Sequence, residues 1–279
     1  EPDRHAPPSI MNLPRWMLGL LATGALCLST AVAQDLKYGA PIPAVHRTLF
    51  EKGLEYLVKE QRSDGTWESN TGVTDICVMA LLASGEDPNF GKYAAAIRSG
   101  TRAIIQQQSA DTGFIRSGMY EHGFAMLTLA DCYGAVDDRL LWKDQTTKGR
   151  SIGEALELAV RCAVTSQENN PFKAWQYSPD GSTADTSAAG AVMMGLLGAR
   201  NAGIAVPDTA IDGAVEYYVS MTLSNGMVNY SGIGGLGDSH ARSAICALVL
   251  SIAKRRELET FGAVKEYLGR TWDQPSRGH

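Results

Sequence analysis

Four titratable residues follow one another along the chain in the order Asp75, His122, Asp185 and His240. Each falls near the start of a run of apolar and small residues that reads as a buried helix. The dipole of such a helix favours a carboxylate at its N-terminus and holds an imidazole there toward its neutral form. Gathered in one concave mouth, these groups could exchange protons with a ligand, which makes them a default site. Asp185 and His240 are the candidate catalytic pair; Tyr120, His122, Trp175, Tyr177 and Tyr230 are the candidate cavity lining. The same residues have a plainer use, because every buried helix start needs partners for its first N–H groups. Asp185, directly before Thr186-Ser187-Ala188, is a good N-cap on that ground, and the aromatics could pack between repeats.

Placing such groups at one end of a molecule requires a repeated element, and the sequence carries one. From Phe50, offsets of four, seven and eight give Leu54, Leu57 and Val58; from Ile97 they give Thr101, Ile104 and Ile105. Leu156 leads to Val160, Ala163 and Val164, Ile211 to Val215, Tyr218 and Val219, and Thr260 to Val264, Tyr267 and Leu268. These offsets lay a mostly apolar stripe along one helix face. Eleven residues on stand Gln61, Gln108 and Gln167, with Thr222 in the fourth copy. The starts are 47, 59, 55 and 49 residues apart. That period fits one helical hairpin per repeat, with neighbours burying each other's apolar faces.

Each amphipathic helix runs through a turn into a second helix that is apolar or small nearly all round. The turns contain Gly65-Thr66-Trp67, Gly113-Phe114-Ile115, Lys173-Ala174-Trp175 and Gly226-Met227-Val228. The second helices are expected over about Thr74–Ser84, His122–Tyr133, Thr186–Ala202 and Arg242–Ala253, buried on nearly all sides. A fifth outer helix is expected at about Thr260–Gly269, a loop over Asp137–Arg150, and no strand of useful length. Pro207 opens the fourth outer helix, where its missing N–H costs little. The expected fold is all-α, an α/α toroid of four to five hairpins with amphipathic helices outside and buried helices inside. All inner helices would then run the same way. Asp75 and His122, each 25 residues past a repeat start, and Asp185 and His240, each 29 past, would face one mouth.

The stretch from Lys52 to Trp67, with Gln61 followed by Gly65-Thr66-Trp67, resembles the complete QW motif of squalene and oxidosqualene cyclases. Gln108 with Gly113-Phe114 resembles a degenerate copy. Met119-Tyr120-Glu121-His122-Gly123-Phe124-Ala125 adds to the likeness, as does Trp175-Gln176-Tyr177-Ser178-Pro179 leading into Asp185-Thr186-Ser187. Over about Arg47 to Leu268 the chain is similar to the terpenoid cyclase/prenyltransferase superfamily, in its short secreted bacterial form. The resemblance implies the toroid, and implies that Gln61 caps the next helix beside Trp67. It carries fold further than activity, since one toroid hosts cyclases, prenyltransferases and non-catalytic modules. Cyclases draw their proton from an Asp-x-Asp-Asp-Thr-Ala motif whose central aspartate is kept neutral in an apolar cavity. Here Ala184 stands at the donor position and only Asp185 remains, which argues against squalene-type cyclisation. Protein prenyltransferases hold zinc by an Asp-x-Cys pair and a histidine on the next inner helix, and the metal lowers the pKa of a substrate thiol. Asp75-Ile76-Cys77 with His122 has that order and spacing, so the resemblance makes these three a hypothetical zinc site. The competing reading has Asp75 capping, Cys77 packing and His122 bonding a backbone carbonyl.

The 279 residues carry a net charge of −5 and no long basic run, which excludes nucleic acid as an expected partner. Arg15, the apolar stretch Met17–Cys27 and the small series Ala31-Val32-Ala33 read as a cleavable export signal over residues 11–33, preceded by a leader at 1–10. One domain is expected over 34–271, with a tail at 272–279, no stable membrane span after processing, and a periplasmic or secreted location. Cys77, Cys132, Cys162 and Cys246 remain after processing, as buried thiols, disulfides or metal ligands. Gly232-Ile233-Gly234-Gly235-Leu236-Gly237 has no strand before it, so it reads as a loop near the mouth rather than a phosphate cradle. No Gly-x-Ser-x-Gly elbow and no Cys-Gly-Glu-Gln thioester segment is present. The expected function is an exported toroid that binds an apolar, isoprenoid-like molecule or a partner's peptide in its cavity. The alternative is a zinc-dependent, prenyltransferase-like enzyme using Asp75, Cys77 and His122.

Overall fold

A computed structural model describes residues 42–68, 71–115, 118–143, 145–146, 148–231 and 239–273. The expected leader, export signal and glycine cluster, and all but the start of the tail, lie outside these residues. Contacts divide the chain between Arg47 and Thr48. Of the first unit, only residues 42–47 are described, where the first helix begins. The second unit carries everything that follows.

The chain is all-α. Its helices are α1 (Ala44–Glu60), α2 (Thr71–Leu82), α3 (Ala94–Gln106), α4 (Met119–Cys132), α5 (Asp138–Leu141), α6 (Ile152–Asn169), α7 (Thr186–Asn201), α8 (Asp208–Met221), α9 (His240–Ile252) and α10 (Glu259–Thr271). Among the described residues there is no strand, only three isolated bridges, and no helix long and apolar enough to cross a membrane. The second helices of successive hairpins pack in series, α2 on α4, α4 on α7 and α7 on α9. The α4–α7 seam is tight because glycines line it. A Cβ on Gly123 would fall 2.4 Å from the Ala191 carbonyl carbon, and one on Gly195 2.5 Å from the Gly123 oxygen.

The amphipathic helices bury most of their stripes in α3, α6 and α8, where Ile97, Ile104, Leu156, Ala163, Ile211 and Tyr218 are all buried, while Val219 at the end of the α8 stripe is exposed. Helix α1 departs from this. Leu54 is buried, but Phe50 and Val58 are exposed, and so are Leu49 and Tyr56. In α3 and α8 the places equivalent to Leu49 and Tyr56 are filled by the buried Ala96, Ala103, Ala210 and Tyr217. Among the described residues no hairpin covers that face.

Three glutamines join the hairpins in one recurring way. Gln61 Nε2 donates to Gly65 O in its own turn and to Ala96 O in α3, both at 3.0 Å. Gln108 Nε2 repeats this with Gly113 O (3.0 Å) and Ala155 O of α6 (2.8 Å). Gln167 Nε2 does so with Lys173 O and Ala210 O of α8, both at 2.8 Å. The expected capping of the next helix is thereby corrected. The amide donates to a carbonyl of the first turn instead of accepting from an N–H. The indoles follow the same plan, Trp67 donating to Leu57 O at 2.6 Å and Trp175 to Ala163 O at 2.8 Å. Gly65 is needed at its place, with φ +89° and a hypothetical Cβ only 2.3 Å from Ser99 O.

The expected loop over Asp137–Arg150 contains a one-turn helix instead. Asp137 accepts from Arg139 N, and the apolar Leu141 and Trp142 are buried within the polar stretch. Arg102 Nη1 of α3 donates to Leu141 O at 3.0 Å, and the Trp142 indole to Arg150 O at 2.9 Å. The buried Leu141 and Trp142 give this stretch its order.

Candidate functional site

Three segments meet at the start of α7. Asp185 N donates to Trp175 O at 3.0 Å, Thr186 N donates to Tyr230 O at 2.9 Å, and Asp185 bridges to Ser231. The loop before Asp185 is pinned by Asn170, whose Nδ2 donates to Gly181 O and Thr183 O, both at 2.8 Å. It reaches the start of α4 as well, since Met119 N donates to Tyr177 O at 2.8 Å. The Tyr177 and Tyr230 hydroxyls bond each other at 2.5 Å, and Arg242 of α9 lies over the Tyr230 ring, 5.9 Å from its centre. The Arg242 Nε donates to Val228 O at 3.3 Å.

Asp185 is the N-cap of α7, as one sequence reading expected. Its Oδ1 accepts from Ser187 N (2.9 Å) and Ala188 N (2.8 Å). Its Oδ2 is buried and has no hydrogen-bond partner. Burial raises the carboxyl's pKa above the ordinary value, against the lowering effect of the two N–H groups. Tyr217 of α8 is buried too, and its hydroxyl has no partner. Burial and the nearby Asp185 charge push its pKa upward.

Asp75 and His122 do not share a direction. Both ring nitrogens of His122 are taken by backbone: Nδ1 accepts from Ile115 N at 3.1 Å, and Nε2 lies 3.0 Å from Ala159 O of α6. With Nδ1 accepting, Nε2 carries the proton, and the ring looks toward an amphipathic helix. Burial lowers its pKa to about 4. The counterpart of His122 is Thr74, whose Oγ1 accepts from Trp67 N at 3.4 Å across the same seven-residue interval. The cause is one extra residue in the second turn. Gly113 stands five residues after Gln108, whereas Gly65 stands four after Gln61. A shift of one residue on a helix turns a side chain by about 100°. Asp75, one place beyond Thr74, is completely buried, and neither of its carboxylate oxygens has a partner. Burial, then the charge of Glu121, raise its pKa well above the ordinary value.

Among the described residues no three His, Cys, Asp or Glu side chains come together to hold a metal. The expected zinc ligands Asp75, Cys77 and His122 are therefore not assembled, and the plainer reading of His122 is the observed one. The four thiols are free, with Cys77, Cys132 and Cys246 buried and Cys162 half-buried. Burial pushes the Cys132 thiol up to about 12. His240 is not a cap either: Ser239 Oγ accepts from Arg242 N, and the His240 ring lies beside Tyr267 of α10, 6.0 Å between centres. Its Nε2 is buried without a partner.

The aromatics divide. Trp175 is packing, 1% exposed with its indole bonded, which corrects its place in the cavity lining. Tyr120 stacks edge-on against Phe124 at 5.2 Å. Tyr177 and Tyr230 belong to the cluster at α7. The sequence reading missed Tyr217 because it lies beside the apolar stripe instead of on it, and missed Glu121 for lack of any repeated partner. The cavity at Asp111, Phe114, Leu158, Arg161, Cys162 and Asp180, about 510 Å³, opens beside the second turn and along α6, and Asp185 does not line it. We place the site at Asp185, because two unpartnered polar atoms from different elements, Asp185 Oδ2 and Tyr217 Oη, occur there together with the Tyr177–Tyr230 pair. No family model matches the chain, and no curated protein sequence matches it.

Proposed function

We propose that the hairpins form an α/α toroid of the terpenoid cyclase/prenyltransferase kind that binds an apolar, isoprenoid-like molecule at the mouth around Asp185. The observation that carries this reading is the pair of buried, unpartnered polar atoms, Asp185 Oδ2 and Tyr217 Oη, beside the half-exposed Tyr177 ring. Unpartnered buried oxygens cost a fold stability that a ligand can return. An exposed aromatic next to them offers apolar contact. The protein acts here as a binding module. Its export is proposed with it, on the Arg15, apolar and Ala31-Val32-Ala33 series, and N-terminal sequencing from the native host tests that part. Calorimetric titration with farnesol tests the site. Saturable binding that weakens at least several-fold in Tyr177→Ala is expected. Absence of saturable binding, or binding indifferent to Tyr177→Ala and Tyr230→Ala alike, would remove the reading.

A further inference from the structure

Around Asp185 stand four tyrosines, and their hydroxyls can be assigned one by one. Tyr177 and Tyr230 are bonded to each other. Tyr218 donates to Thr186 O at 2.6 Å. Tyr217 alone has no partner, although it is 3% exposed. Its place, six residues past the repeat start, holds Ala103 in α3, Cys162 in α6 and the exposed Tyr56 in α1, so packing between hairpins does not call for a buried hydroxyl there. Phenylalanine would fill the same space without an unpartnered oxygen. Asp185 tells a similar story. Capping uses Oδ1 alone, and a serine or asparagine would cap as well. The second oxygen is buried at 2% residue exposure with nothing to bond. Tyr217 adjoins Tyr218, which bonds Thr186 O, so both unpartnered oxygens belong to one helix start, yet they do not bond each other.

We propose that the Asp185 carboxyl and the Tyr217 hydroxyl together grip one acceptor oxygen, a carbonyl, on an otherwise apolar ligand. This rests on the reading of the α7 start as the ligand site and names the group that site recognises. With Oδ1 turned to two N–H donors, the carboxyl proton belongs on Oδ2, so a neutral Asp185 presents a donor there. Once the carboxyl is protonated, two donors converging on one carbonyl oxygen form an oxyanion-hole arrangement. An anionic head group fits poorly, since it would face the carboxyl once ionised. Arg242, the cation over the Tyr230 ring, already donates to Val228 O.

The test compares geranylacetone with the olefin in which its carbonyl oxygen is replaced by CH₂. The wild-type chain is expected to prefer the ketone by about tenfold, as two hydrogen bonds imply. Tyr217→Phe should keep the melting temperature, since it breaks no bond, and cut the preference to about threefold. The preference should fade as pH rises through the Asp185 titration, which Tyr217, Tyr218, Tyr177, Tyr230 and Arg242 surround. Asp185→Asn keeps both the cap and a donor and should make it independent of pH. Equal affinity for ketone and olefin, or a Tyr217→Phe variant with undiminished preference, overturns the inference while leaving the site in place. Failure of both probes to bind overturns the inference and the site together.

Discussion

His122 is the residue whose role changed most between sequence and structure. An imidazole held between Ile115 N and Ala159 O can serve only while neutral. Its pKa in the fold is about 4, against an ordinary value of 6.5 in the unfolded chain. Above pH 6.5 both states are neutral, and the group adds no pH dependence. As pH falls below 6.5 the unfolded chain takes up a proton that the fold refuses, and stability is lost until about pH 4. The loss is on the order of 3 kcal/mol over that window. His122→Gln should be less stable at neutral pH but lose less between pH 6.5 and 4, measured by urea unfolding at several pH values. An unchanged pH slope would show that the ring is not held as described. Asp185 was legible as a cap because an aspartate before Thr-Ser-Ala is a local signal. The different directions of Asp75 and His122 were not legible, because a single inserted residue in a turn reorients the next helix without altering the apolar pattern.

The turn with its glutamine is the element that makes the hairpins a series. Its existence could be read from Gln61, Gln108 and Gln167 at one offset, since a buried amide must find several partners. The direction of bonding could not, because both donor and acceptor ends of an amide fit the same spacing. The three ties differ in burial. Gln108 is buried, whereas Gln61 is half-buried. Gln108→Leu strands two carbonyls away from water and should cost about 1–3 kcal/mol, while Gln61→Leu should cost about 1 kcal/mol or less. Thermal or denaturant unfolding of the two variants checks the order. Reversal of it would mean that the amide bonds do not hold the hairpins. Helix α5 was hidden from pattern reading for a different reason. Four residues are too few for periodicity, and its order comes from Leu141 and Trp142 reaching a core laid down by distant helices.

At the scale of the molecule, the all-α class followed from the period alone, and the order of packing α2, α4, α7, α9 agrees with one hairpin per repeat. Closure into a ring rests on relations between distant hairpins, which no local pattern encodes. The two ends of the series also differ. Helix α1 keeps an open apolar face at Leu49 and Tyr56, while α10 covers the fourth turn, where a Cβ on Gly226 would lie 2.0 Å from Ala263 O.

That fourth joint has Thr222 where the others have glutamine, and its hydroxyl turns back to Tyr218 O at 2.8 Å within its own helix. Three joints are therefore laced by a glutamine amide, and the last lacks that tie, resting on the packing of Val264 and Tyr267 and on Arg270 Nη2 donating to Asn225 O at 3.1 Å. The chain should breathe from that end. In native-state hydrogen exchange the amides of α10 should open at a lower free energy than those of α6 or α8, as a separate cooperative unit. Thr222→Gln would supply the missing lace, and α10 should then exchange more slowly, in step with the rest of the series.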